Sequence, residues 1–340
     1  IADPSAHFQT TLYTGNGTAI GSGGNAVSQI ENSTFQPDFV WIKRRDSAVE
    51  HVLTDAVRGV TKELSSNDTG VEETVAEGLT TFGSSGFTVG SDGSYNTNTG
   101  TYAAWQWKAN GSGSSNTDGS ITSTVSADTT SGFSIVSYSG NGTSGATVGH
   151  GLGADLKMII LKDRGVVENW CIFHEELGPT KFLFFTTDSA FTVSNRWNDT
   201  SPTSSVFTLG NETQVNGSGR NYIAYCFAEV EGFSKFGSYT GNGSADGPMV
   251  NCGFLPAFVM VKAVSTANSW NIVDTKRDTY NPVSAQLAAN SASAEASGVA
   301  MDLLSSGFKI RDTSAGFNTN TNSYIYMAFA ESPFKYANAR

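Results

Sequence analysis

Apolar residues in this 340-residue chain gather in short continuous runs rather than helical stripes. Three of the runs end in lysine: Val40–Ile42 before Lys43, Ile159–Leu161 before Lys162, and Met260–Val261 before Lys262. Three others are rich in aromatics: YAAWQWKA from Tyr102, YIAYCFAE from Tyr222 and YIYMAFAE from Tyr324. A strand with one wet face alternates apolar and polar residues, so unbroken runs predict strands covered on both faces. Between them lie Gly/Asn/Ser/Thr stretches, the composition of turns. One segment departs from the pattern. Ser284–Leu304 is alanine-rich with Val299 its single β-branched residue, which predicts one or two helical turns broken at Gly298.

The runs recur in order. YTGNGT at Tyr13–Thr18 returns as YSGNGT at Tyr138–Thr143 and as YTGNGS at Tyr239–Ser244. Lys162 to Trp170 and Lys262 to Trp270 are both eight residues, and Phe87 to Tyr102 and Phe207 to Tyr222 both fifteen. The expectation is an all-β protein of three tandem β-sandwiches, jelly-roll or lectin-like, each of roughly 100 residues and large enough for its own core. Their bounds are residues 8–110, 133–231 and 232–340. Residues 111–132 read as a Ser/Thr/Gly tether in which ITSTV has the makings of an edge strand. The second and third units follow almost without a break, so they are expected to touch more firmly than the first touches either. Each Asn-Gly pair reads as a tight hairpin turn with positive φ at both positions.

Composition removes several function classes. The formal charge of −11 would repel nucleic acid, and the one short basic cluster, Lys43–Arg45, is followed at once by Asp46. No apolar stretch approaches eighteen residues, so no membrane insertion is expected. Cys171, Cys226 and Cys252 are odd in number and lack CxxC spacing, which predicts buried free thiols.

Candidate chemistry is sparse. Gly140–Gly145 matches G-x-G-x-x-G, but no helix is expected after it to hold a phosphate. Glu72-Glu73 and Glu175-Glu176 are adjacent pairs, which read as solvated surface rather than as carboxylates facing across a glycosidic bond. His7, His51, His150 and His174 have no metal-ligand spacing, so no metal, no cofactor and no catalytic residue is assigned. One position varies informatively. Eight residues past each lysine stand His51, Trp170 and Trp270, and four further on Asp55, His174 and Asp274, with Lys276 and Asp278 beyond. A tryptophan beside polar groups can stack a sugar ring and bond its hydroxyls, so these eight residues are the candidate ligand site. The competing reading packs the tryptophans over a sandwich edge.

YTGNGT, FQPDFVWIKRR (Phe35–Arg45), TDGSITSTVSADTTSGFSIVSY (Thr117–Tyr138), VGHGLG (Val148–Gly153) and YIYMAFAESPFKYANAR (Tyr324–Arg340) give the chain its resemblance. They resemble an uncharacterised domain family of virion proteins in marine tailed bacteriophages. The resemblance implies a tail-fibre-like surface protein without defined catalytic residues. Its partners would be a host-cell glycan or receptor and other virion proteins, at the virion surface. It is compatible with a homotrimeric fibre, or with three units round a pseudo-threefold axis inside one chain. A structural decoration protein of capsid or tail is the alternative, and a polysaccharide-degrading enzyme ranks last. The second unit has ADLK (Ala154–Lys157) where the others have QPDF and LPAF, which leaves the start of its lysine-ended strand open.

Overall fold

A computed structural model describes residues 1–190 and 195–332; the end of the tail phrase, from residue 333, lies outside the described residues. The chain is nearly all β, in antiparallel sheets, and among the described residues helix is confined to single turns such as Gly93–Asn96 and Thr213–Asn216.

Three large sheets share one order at their centre. An opening strand (Phe8–Thr14, Phe133–Ser139, Ser234–Thr240) pairs with a closing strand (Thr101–Trp107, Asn221–Ala228, Ser323–Phe329). The closing strand then pairs with a lysine strand (Phe39–Arg44, Leu156–Asp163, Phe258–Ala263). Next comes a buttress strand (His51–Asp55, Cys171–His174, Trp270–Asp274). The register is the same in all three, with Tyr13 opposite Tyr102, Tyr138 opposite Tyr222 and Tyr239 opposite Tyr324. Those tyrosines stack with ring centroids 4.9, 5.1 and 4.9 Å apart.

The unbroken apolar runs conceal a period of two. Phe39 and Trp41 turn to one core while Val40 and Ile42 turn to another, and Phe258 and Met260 divide from Val259 and Val261 in the same way. On the outer faces each large sheet has its own cluster, closed by short strands such as Asn25–Ser28, Ala146–Gly149 and Met249–Asn251. The inner faces merge. Phe8, Trp41 and Trp105 of the first sheet, Met158, Trp170 and Tyr225 of the second, and Phe258, Trp270 and Met327 of the third belong to one cluster. Separate interiors are therefore only half of the packing; the other half is a shared aromatic core. Phe8 shows its size, lying 4.9 Å from Trp107 within its sheet and 5.3 Å from Phe329 across to the third.

Several expectations change. Ser284–Leu304 is not helical: Val283–Ala288 and Ala296–Leu304 are strands, with Val283, Leu287, Ala300, Met301 and Leu303 buried. Partner strands and a dry face outweigh alanine's mild helix preference there. Residues 111–132 are not a tether either, since Ser114–Asn116 and Ser123–Asp128 extend the second sheet, the latter pairing with the opening strand. The strand in ADLK forms despite its missing proline, with a bulge between Leu156 and Met158. The Asn-Gly loops do not close hairpins, because the opening strand pairs with the closing strand instead. Gly17, Gly142 and Gly243 take positive φ; their preceding asparagines do not. The three cysteines are free and buried.

Candidate functional site

The residues singled out as a ligand platform sit where one sheet meets the next. Asp55 accepts from Tyr225 Oη of the second closing strand (2.9 Å), and from Arg58 Nε (2.5 Å) and the Arg58 amide (2.8 Å). Asp274 accepts from Trp105 Nε1 of the first closing strand (3.1 Å), from Arg277 Nε (2.6 Å) and from the Arg277 amide (2.9 Å). His174 holds the equivalent place in the second sheet. Its Nε2 donates to the Tyr326 carbonyl of the third closing strand at 3.2 Å while Nδ1 accepts from the Glu176 amide. Burial pushes its imidazole down to about 4, so it is neutral near pH 7. First leans on second, second on third, third on first. The cycle closes, so the first sheet meets both of the others.

Two tryptophans make steps of the cycle in the reverse direction. Trp170 Nε1 donates to the Ser65 carbonyl of the first sheet at 2.7 Å, and Trp270 Nε1 to the Phe184 carbonyl of the second at 2.8 Å. His51 occupies the same register in the first sheet, where Nδ1 accepts from Trp41 Nε1 at 2.9 Å. Each lysine strand ends in the same manner. Lys162 Nζ donates to the carbonyls of Thr69 (3.2 Å), Val166 and Glu168 (2.8 Å), and Lys262 Nζ to those of Thr187 (3.1 Å) and Asn268. Lys43 turns to Arg44 and Ser47. Burial brings all three ammonium groups down to about 8.

The sugar-stacking expectation is corrected by this burial. Trp170, Trp270, His51, His174, Asp55 and Asp274 are each exposed by 2% or less, so no ring face is open to a saccharide. Lys276 is partly open but pairs with Glu31 of the first segment and with Glu331. Asp278 caps the Ser284 hydroxyl at 2.8 Å. Glu72, expected on a solvated surface, is also structural. Arg164 grips it with Nε and Nη2 at 2.8 and 2.9 Å, and Arg58 reaches it from the other side at 3.5 Å. The third-to-first joint repeats this group with Arg45 on Glu295 (2.9 and 2.8 Å) and Arg277 on Glu295 (3.1 Å). Sequence reasoning missed both triads, whose members lie up to 250 residues apart.

Three loops with solvent-facing residues recur at one end of the sheets. There the three Gly-Asn-Gly loops are clamped alike by a buried asparagine. Asn96 Oδ1 accepts from the Asn16 amide (2.8 Å), Asn216 from Asn141 (2.9 Å) and Asn318 from Asn242 (2.8 Å). Their Nδ2 groups return to the carbonyls of Thr18 (3.3 Å), Thr143 (2.9 Å) and Ser244 (2.6 Å). Asn16-Gly17, Asn141-Gly142 and Asn242-Gly243 themselves face solvent. At the other end the first strand starts beside the last one's finish, with the Thr10 amide donating to Glu331 Oε1 at 2.9 Å. A seven-residue strand separates the two ends by about 20 Å.

Residues 3–333 match the profile of a family described as a domain of unknown function, DUF7483. The chain belongs to this family. No curated protein matches it. The DUF7483 match spans all three large sheets, so the family's unit is the whole cycle rather than one sheet of it.

Proposed function

We propose that this DUF7483 chain is a non-enzymatic surface module of a tailed-phage virion, tail-fibre-like, that attaches to a host-surface glycan or receptor. In this reading the chain is three copies of a β-sandwich unit of roughly 100 residues. They are set round a pseudo-threefold axis, so that one polypeptide does the work of a homotrimer. The observation that carries it is the identical wiring of three solvent-facing Asn-Gly loops at one end of the sheets. Loops held by buried clamps do not lose much freedom on contact, and three weak contacts to a repetitive surface multiply through avidity. Of the adjacent carboxylates weighed for an enzyme reading, Glu72 is bound up in holding the sheets together.

A glycan array probed with the chain, alongside electron-microscopic localisation of the protein on particles, tests the reading. Binding to a subset of saccharides and a location at a tail tip are expected. A blank array with the protein spread over the capsid would replace it with the decoration reading. Release of reducing ends from polysaccharide would replace it with the enzyme reading.

A further inference from the structure

The three joints are not chemically alike. Two carry an Arg–Glu–Arg triad, and backbone hydrogen bonds fix which residues correspond at the third. The Glu72 amide donates to the Arg164 carbonyl (2.8 Å), that of Glu295 to Arg45 (2.8 Å), and that of Ala190 to Val264 (3.0 Å). Ala190 therefore stands where the others have glutamate, and Val264 where they have the bidentate arginine. Leu177, three residues past His174, stands where Arg58 and Arg277 follow Asp55 and Asp274. Three long charged side chains are replaced at this joint by three short apolar ones.

Among the described residues, none refills the space they vacate. A cavity of about 430 Å³ opens there, and Leu177, Ala190 and Val264 all line it. Ile325 adds to the apolar wall, while Ser189, Ser238, Ser265 and Ser323 supply hydroxyls. Glu176 and Lys181 bring one charge of each sign. Glu176 is already oriented, its carboxylate accepting from the Ser238 hydroxyl at 2.6 Å. The cavity lies toward the loop end, since Ser323 pairs with Thr240, the residue before the Gly241–Ser244 loop.

The geometry points to a binding site at the second-to-third joint for one pyranose residue of a surface polysaccharide. An apolar wall of aliphatic side chains meets the C–H face of the ring. The serine hydroxyls, with Glu176 as acceptor and Lys181 as donor, meet its hydroxyls. Pockets of 300–1,000 Å³ with an apolar lining and a few convergent polar groups are the usual form of small-ligand sites. The inference rests on the adhesion reading and adds the place where the saccharide sits. To the three loops it adds a contact at the one joint that lacks its triad.

The sister joints supply the test. Leu177→Arg, Ala190→Glu and Val264→Arg together rebuild, in the cavity, the triad that the other two joints hold. A second variant, Ser238→Ala, removes one hydroxyl and leaves the walls in place. Both are compared with the full chain on a glycan array, and by saturation-transfer NMR with hexoses and hexuronic acids at millimolar concentration. The chain is expected to bind at least one sugar, the triad variant to lose at least tenfold in affinity, and Ser238→Ala to lose severalfold. Equal binding by the chain and both variants would overturn the site and leave adhesion standing elsewhere. A blank array for all three would overturn the site together with the adhesion reading.

Discussion

Removing the Asp55 carboxylate by Asp55→Ala strikes the first-to-second joint at its centre. Four hydrogen bonds end on it, from the amides of Val57 and Arg58, from Arg58 Nε and from Tyr225 Oη. Neither the Asp55 nor the Arg58 side chain is exposed to solvent. The substitution strands the Arg58 guanidinium against a half-filled partner, Glu72 at 3.5 Å, and deprives Tyr225 of its acceptor. Breaking a buried pair by deleting one member costs about 3–5 kcal/mol, because a charge stays behind without compensation. Arg58→Leu added to Asp55→Ala takes that charge away and imports the leucine that the second-to-third joint already uses at Leu177. The double variant is expected to recover about half of the loss or more. Equilibrium unfolding in urea measures both. A single-variant cost below about 1 kcal/mol, or a double variant worse than the single, would refute the view that this pair holds a joint.

Other consequences follow from the same contacts. Lys43, Lys162 and Lys262 fall to about 8 in the fold against an ordinary value of 10.5. Between those limits the unfolded chain binds more protons, so stability should rise from pH 8 toward pH 10. Above that, buried Tyr138 and Tyr225, both pushed well up, reverse the slope. Urea midpoints across this range check the sign, and replacing the three lysines with methionine should flatten the rise. His174, held down at about 4, works at the acid side: stability contributed above pH 6.5 is lost as pH falls toward 4, and His174→Gln should remove that part of the acid limb. Asn318→Ala should cost about 1–3 kcal/mol by orphaning the Asn242 amide and the Ser244 carbonyl, and should speed amide exchange in that loop. Gly307→Ala should destabilise strongly, because at φ 155° a Cβ would lie 1.9 Å from the Val250 carbonyl oxygen.

Much of the framework was legible because it is local. The lysine-ended and aromatic runs became the central strands, and their lack of alternation correctly marked strands with two dry faces. The outer cores were foreseeable from the same runs. The inner one was not, because nothing in Trp41 or Met260 distinguishes a side chain meeting its own sandwich from one meeting a neighbouring sheet. The same limit explains the site. His51, Trp170 and Trp270 were recognised as corresponding positions, yet whether a tryptophan lies on a surface or between sheets depends on contacts such as Trp270 to Phe184 that cross 86 residues. Glu72 looked solvated since its partner Arg164 is 92 residues away. Ser284–Leu304 went wrong for a related reason, its alanines reporting a weak local preference that the pairing of Met301 with Val283 overrides.

The central claim is that three sheets close on one another within a single chain, and the third-to-first contact is the one that closes the cycle. Lys276 and Glu31 meet there, 245 residues apart, as a salt bridge. A zero-length carbodiimide cross-link on an equimolar mixture of ¹⁴N- and ¹⁵N-labelled chain, read by mass spectrometry, interrogates that contact directly. The account predicts a Glu31–Lys276 link in the monomer with both peptides carrying the same isotope. Mixed-isotope links confined to dimers or trimers, or no link at all, would contradict it.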